Sequence, residues 1–194
     1  MTTIEYYSRA AAEFSTSTLN LDLSHIYKQF LNHVPHGGKI LDAGCGSGRD
    51  ALAFKQMGYE VTAFDACEPM AKIASQNLSQ RVHVLRFEEL SFEDAFDGIW
   101  ACASLLHVNK ADLPNVLTRL GSALHQGGAL YVSFKLGNTE RTDANGRFFL
   151  DLDQCGLQQA LSGCLNLSLQ KDWITSDCRP GRAEEYWLNA IIQK

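Results

Sequence analysis

Apolar positions recur along the chain in two rhythms that take turns. Over the first 36 residues Leu19, Leu23, Ile26, Phe30 and Val34 return every three or four positions. That period predicts a helix with one apolar face, ended by Pro35, Gly37 and Gly38. Lys39-Ile40-Leu41-Asp42 then predicts a buried strand, Arg49 to Met57 a helix closed by Gly58, Glu60 to Asp65 a second strand, and Pro69 to Leu78 a helix. Arg81 to Phe87 and Phe96 to Ala103 predict the third and fourth strands. Asp112 to Leu124 reads as a helix with Asp112 as its N-cap, and Ala129 to Lys135, opened by Gly127-Gly128, as a fifth strand. A polar loop from Gly137 to Arg147 precedes a helix over Asp153 to Leu161. Leu165 to Trp173 and Glu185 to Ile192 alternate as strands with no helix between them, which predicts an antiparallel pair joined by Thr175 to Arg182. Strands alternating with helices define an α/β fold, a doubly wound, mostly parallel sheet with helices on both faces.

Composition narrows the class. A length of 194 residues suits one domain over 1–194, and 45% hydrophobic residues exclude disorder as the global state. The net charge of −5 argues against a broad basic face for nucleic acid. Residues 1–7 lack a basic stretch leading into an apolar one, and no apolar run approaches the ~18 residues of a membrane span. The expectation is a cytoplasmic protein without membrane contact. The six cysteines form no Cys-x-x-Cys pair, so no metal site is expected, and the thiols read as reduced and mostly buried.

The most informative stretch is Asp42-Ala43-Gly44-Cys45-Gly46-Ser47-Gly48, a glycine loop between a buried strand and a helix. Such a loop lets a ligand touch the main chain and sits where a doubly wound sheet binds nucleotides. A dinucleotide fingerprint needs a third glycine at position 49, where the chain has Arg49, and no Lys-Ser/Thr follows for a phosphate loop. Asp65, ending the second strand, can accept both hydroxyls of a ribose.

These residues, with Asp65 and Gly127-Gly128 in order, resemble the class I S-adenosylmethionine-dependent methyltransferases over roughly residues 37–135, and more weakly the compact tellurite-resistance type. The resemblance implies a seven-stranded Rossmann-like sheet with an antiparallel last strand. It implies a helical lid over 1–36, a cofactor half over 37–135 and a substrate side over 136–194. It implies S-adenosylmethionine as cofactor, with Asp42 near its ammonium group and the main chain at Ala43, Gly44 and Gly46 along its methionine. Asp65 and Ala66 would meet the ribose, and Met70 and Phe87 the adenine. At the end of the third strand, where the family often has an acid, stands Arg86, which cannot accept a hydrogen bond. Either Glu88 or a backbone carbonyl takes that role. Leu106 would shield the sulphonium.

His107 follows the fourth strand and reads either as a general base or substrate contact, able to carry charge near neutral pH, or as a structural histidine. Tyr6 and Tyr7 belong either to a lid or to ordinary helix packing. Lys135, Arg147, Arg179 and Arg182 suit an anionic acceptor or are solvated loop charges, and Trp187 reads as core. The small size leaves no separate recognition domain, which favours a small methyl acceptor and a monomer or homodimer. Catalysis would be in-line methyl transfer, where positioning supplies about 7–11 kcal/mol. A non-catalytic cofactor-binding module and an NAD-dependent oxidoreductase stand as alternatives.

Overall fold

Seven strands of the computed structural model, which describes residues 1–194, hydrogen-bond into one sheet. They are β1 (Lys39–Ala43), β2 (Glu60–Asp65), β3 (His83–Val84), β4 (Phe96–Ala101), β5 (Leu124–Lys135), β8 (Ser168–Ser176) and β9 (Tyr186–Gln193). Their order is β3-β2-β1-β4-β5-β9-β8, with β9 antiparallel to both its neighbours and the other six parallel to one another. Two short strands, β6 (Glu140–Thr142) and β7 (Phe148–Leu150), pair as a separate hairpin. The helices are α1 (Thr3–Thr18), α2 (Ser24–Leu31), α3 (Arg49–Gln56), α4 (Glu68–Leu78), α5 (Leu113–Ala123) and α6 (Gln154–Leu161).

Strand alternation decides which helices cover which face. Ile40, Ala63, Trp100 and Tyr131 point to the side of α2, α3 and α4. Leu41, Phe64, Ile99 and Val132 point to the side of α5 and α6. At the centre of the first face Trp100 stacks on Tyr131, ring centroids 4.0 Å apart, and meets Phe54 edge-on. Trp100 Nε1 donates to Asp50 at 2.8 Å, Tyr27 donates its hydroxyl proton to the same carboxylate at 2.5 Å, and Arg49 Nε donates at 2.6 Å. Burial alone would push the Asp50 carboxyl up, but Arg49 and these donors hold it below the usual carboxylate range.

Several expectations need correction. The N-terminal stretch is two helices rather than one. Thr16, Ser17 and Thr18 spend their hydroxyls on carbonyls three or four residues back, which weakens the helix there, and Leu19 is exposed. Helix α1 lies over the carboxyl edge of the sheet, whereas α2 buries Ile26 and Phe30 under the sheet and brings only its first turn, with His25 and Ile26, to that edge. The third strand shrinks to two paired residues because Phe87–Glu89 forms a 3₁₀ turn, with Glu89 accepting from Arg86 N at 2.8 Å. Strand β5 begins five residues early, at Leu124. The polar segment after it contains the β6–β7 hairpin. Asp112 precedes α5 but bonds the Asn109 side chain instead of capping, whereas Asp153 does cap α6 through Gly156 N at 2.8 Å. All six thiols are unpaired, but only Cys67 and Cys164 are buried, and Cys155 and Cys178 are exposed. No helix is long and apolar enough to cross a membrane.

Asp50→Ala should lower the unfolding free energy by about 3–5 kcal/mol, because it strands a half-buried guanidinium and the buried donors of Tyr27 and Trp100. Urea unfolding of the purified variant checks this.

Candidate cofactor and acceptor site

A cavity of about 880 Å³ opens at the carboxyl ends of β1, β2, β4 and β5, beneath α1 and the β6–β7 hairpin. Its construction begins with two backbone bends. Gly44 has φ +77, and a Cβ there would stand 2.5 Å from Ser104 Cβ, so only glycine lets the first loop approach the end of β4. From the other side Ala103 takes φ +50, a left-handed conformation that costs a non-glycine residue roughly 1–2 kcal/mol. It is held by its N–H on Ser133 Oγ at 2.8 Å. The bend delivers Ser104, whose hydroxyl donates to Ala43 O at 2.7 Å.

Gly44, Gly46, Asp65, Ala66, Met70, Phe87 and Glu88 all stand on the cavity wall. The Asp65 carboxylate accepts from Gly46 N and from Cys67 N, both at 2.8 Å, and so ties the β1 loop to the β2 loop. Each of its oxygens keeps a further lone pair for a ligand hydroxyl. Burial lifts the Asp65 carboxyl to about 6 against the pull of those two donors.

Two assigned residues are behind the wall. Ala43 is fully buried and its carbonyl is taken by Ser104. Asp42 is buried on the α3 face of the sheet, where it accepts Ala51 N–H at 3.0 Å, and burial pushes its carboxyl well up. Its side chain satisfies a free N–H of the first turn of α3, and it is not among the residues that line the cavity.

His107 and Leu106 lie on the wall beside β4, and Tyr7 faces them from α1. His107 Nδ1 is 2.6 Å from Phe148 O and Nε2 is 3.1 Å from Tyr7 Oη. A carbonyl can only accept, so Nδ1 carries the proton and Nε2 accepts from the tyrosine. Burial pulls the imidazole down to about 4. The expectation that it carries charge near neutral pH is therefore corrected: it is neutral there.

Lys135, Arg147, Arg179 and Arg182 all line the same cavity, on the side away from Asp65. None stands alone. Lys135 pairs with Glu185, Arg179 with Asp177, Arg147 with Asp143 at 2.7 Å and Arg182 with Glu185 at 3.4 Å. The Asp177 carboxylate also accepts from Trp187 Nε1 at 3.1 Å. Trp187, read from the sequence as core, is half-buried and on the wall. Burial would raise Asp177, but Arg179 and the indole overcome it and hold the carboxyl at about 2. Asp143, Asp177 and Glu185 were missed, although each lies two to four residues from its arginine. Asn189 and Ser133, on the cavity floor, were also missed. An asparagine inside the apolar run Leu188 to Ile192 is a readable sign of a buried polar contact, here with Tyr131 Oη at 2.7 Å.

Comparison with known proteins now bears on this geometry. Residues 40–128 match the family described as "Methyltransferase domain". Over 130 residues the chain is 31% identical to the malonyl-[acyl-carrier protein] O-methyltransferase of Serratia marcescens, covering 66% of this chain and 50% of that protein. The chain spans about half the length of the curated relatives it matches. Among solved structures it is similar to a Burkholderia thailandensis 1,6-didemethyltoxoflavin-N1-methyltransferase with bound S-adenosylhomocysteine. The TM-score is 0.73 at 22% identity, covering 99% of this chain and 90% of that one. It is also similar to a TehB-like SAM-dependent methyltransferase from Corynebacterium glutamicum, with TM-score 0.69 at 20% identity, covering 98% and 97%. The sheet is the Rossmann-like sheet of these proteins. The matched residues 40–128 hold β1 to β5 and the glycine loop, and the likeness to the solved structures is one of fold.

Asp65 and His107 should tilt stability against pH in opposite senses. Asp65 has a raised folded pKa, so its contribution is present below about pH 4 and is lost as pH rises through about 6. His107 has a lowered one, so its contribution is present above about pH 6.5 and is lost as pH falls through about 4. Urea midpoints between pH 4 and 6.5 should therefore rise more steeply with pH in Asp65→Asn than in the wild type. A parallel pair of curves would contradict the placement of Asp65.

Proposed function

We propose that this chain is an S-adenosylmethionine-dependent methyltransferase acting on a small polar acceptor. The observation that carries the reading is the single cavity. It joins the glycine loop and Asp65 at one end to Lys135, Arg147 and Arg179 at the other, with Leu106 between them.

The residues fit the cofactor. A Cβ on Gly46 would meet nothing closer than Met70 Cε at 3.7 Å, so the loop leaves open space over its main chain. Asp65 keeps lone pairs for the two ribose hydroxyls. Met70 and Phe87 flank the adenine position with apolar surface, and the main chain at Gly44 and Gly46 borders the methionine. Exposed Glu88, next to Phe87, takes the adenine amino group in place of an acid at Arg86. When bound, S-adenosylmethionine supplies a methyl group on a sulphonium to an attacking nucleophile. Leu106 keeps water from that point, and Lys135, Arg179 and Trp187 orient the acceptor.

The acceptor is gripped by paired charges rather than by a free positive field. Lys135, Arg147, Arg179 and Arg182 share three carboxylates, Asp143, Asp177 and Glu185, so a bare anion gains less here than four unpaired cations would give it. A polar molecule that uses the outer edges of Arg179 and Lys135 and stacks on Trp187 suits the wall better. His107 does not serve as the base in this reading. Its free lone pair is taken by Tyr7, and a weakly basic imidazole has little drive to take a proton.

Calorimetry with S-adenosylhomocysteine should give at least about tenfold weaker binding for Asp65→Ala, since two hydrogen bonds to a charged group are lost. Unchanged binding would remove Asp65 from the ribose. NAD binding in preference to S-adenosylhomocysteine would replace the cofactor. Labelled S-adenosylmethionine incubated with a small-molecule extract should pass label to a small product, and Arg179→Gln should impair that transfer at near wild-type cofactor affinity. Cofactor binding without any transfer would favour a non-catalytic module.

A further inference from the structure

The cavity is covered by two elements far apart in sequence, α1 and the β6–β7 hairpin. Helix α1 belongs to the cofactor end: Ala11 packs with Cys67 and Met70, and Tyr7 and Phe14 lie against them. The hairpin belongs to the acceptor end, since the chain enters it from Lys135 of β5. Three links join these covers, two at Phe148 and one at the neighbouring Arg147. Its carbonyl accepts His107 Nδ1–H at 2.6 Å, while Nε2 of the same ring accepts the Tyr7 hydroxyl at 3.1 Å. Its N–H donates to Thr3 Oγ1 at 2.9 Å. The preceding residue, Arg147, lays its guanidinium 4.5 Å from the centre of the Tyr6 ring and is itself held by Asp143.

The tautomer makes the chain of bonds directional. Phe148 O fixes the proton on Nδ1, which leaves Nε2 free to accept and so selects a donor from α1. Tyr7 is such a donor, and its ring also meets the imidazole edge-on at 5.5 Å. His107 therefore reads the position of α1 on one nitrogen and that of the hairpin on the other.

We infer that Tyr7, His107 and the Phe148 backbone form a latch that makes α1 and the β6–β7 hairpin a single cover, so that filling the cofactor end orders the acceptor wall. Tyr7 and His107 are positioning residues in this scheme. The inference rests on the cofactor reading above. Coupling of this kind is reciprocal: an acceptor that orders the hairpin retains the cofactor by the same factor. One neutral hydrogen bond carries a factor of about five.

Hydrogen–deuterium exchange on the whole chain, with and without S-adenosylhomocysteine, tests it without knowledge of the acceptor. In the wild type the ligand should slow exchange at residues 44–48 and 65–67, and also in α1 and at 148–150. In the double variant Thr3→Val, Tyr7→Phe the first sites should stay protected while the ligand-induced slowing at 148–150 falls by about fivefold or more. A ligand-free thermal melt near the wild-type value shows that this variant folds. Tyr7→Phe alone, which keeps the ring in place, gives a milder form of the same result if the double variant does not fold. Protection at 148–150 that is equal in variant and wild type overturns the latch. So does wild-type protection confined to the loops around Gly46 and Asp65. If the ligand slows exchange nowhere, the cofactor reading itself fails.

Discussion

The approach of Gly44 to Ser104 is the contact on which the rest of the site depends. Two parallel strands, β1 and β4, end at the same edge of the sheet, and their loops would ordinarily diverge toward opposite faces. Here one loop sheds its side chain and the other bends left-handed at Ala103, so that the two meet and Ser104 closes the gap onto Ala43 O. That meeting sets the depth of the cavity. It places the glycine loop on one side and the His107 segment on the other, and it gives both a rigid strand directly behind them. The strain at Ala103 is offset by the bond to Ser133, which sits on the next strand and ties the bend to β5.

Three aspartates near that junction show how environment divides one side-chain type among three tasks. Asp50 is buried but surrounded by Arg49, Tyr27 and Trp100, and stays ionised as the anchor of the core. Asp42 is buried with a single backbone donor, in the first turn of α3, and is pushed toward the neutral form. Asp65 is at the wall with two backbone donors and lies between these extremes, near 6. Only the third keeps lone pairs facing open space. A carboxylate held close to neutrality gains more from an arriving pair of hydroxyls than one already saturated by arginine.

Much of this was legible in the chain because the informative residues are local. Short buried strands stand out as apolar runs, and a glycine loop between a strand and a helix fixes where ligands meet a parallel sheet. Strand alternation already places Asp42 on the same face as Ile40, under a helix, so its position behind the wall followed from the sequence once that rule is applied. The break between α1 and α2 was hidden because Leu19 keeps the phase of the helix that follows, although its side chain is exposed. Strand β3 was overestimated because an edge strand needs few apolar residues to look continuous. The partners of the cavity cations were lost for a different reason. Arg147, Arg179 and Lys135 are brought to one place by the hairpin and by the β8–β9 turn, and whether an arginine there meets water or an aspartate depends on a turn geometry that spacing alone leaves open.

The same distinction explains His107. Its type and its place after β4 suit a base, and sequence alone leaves that reading standing. What decides its chemistry is a backbone carbonyl 41 residues away and a tyrosine 100 residues away, neither of which carries a motif. The carbonyl fixes the tautomer, the tyrosine occupies the remaining lone pair, and burial between them removes the charge. A histidine so placed conveys position rather than protons. The methyl donor assigned to this site arrives already activated, so the demand on the protein is geometric, and a ring that holds two covers in register answers that demand directly.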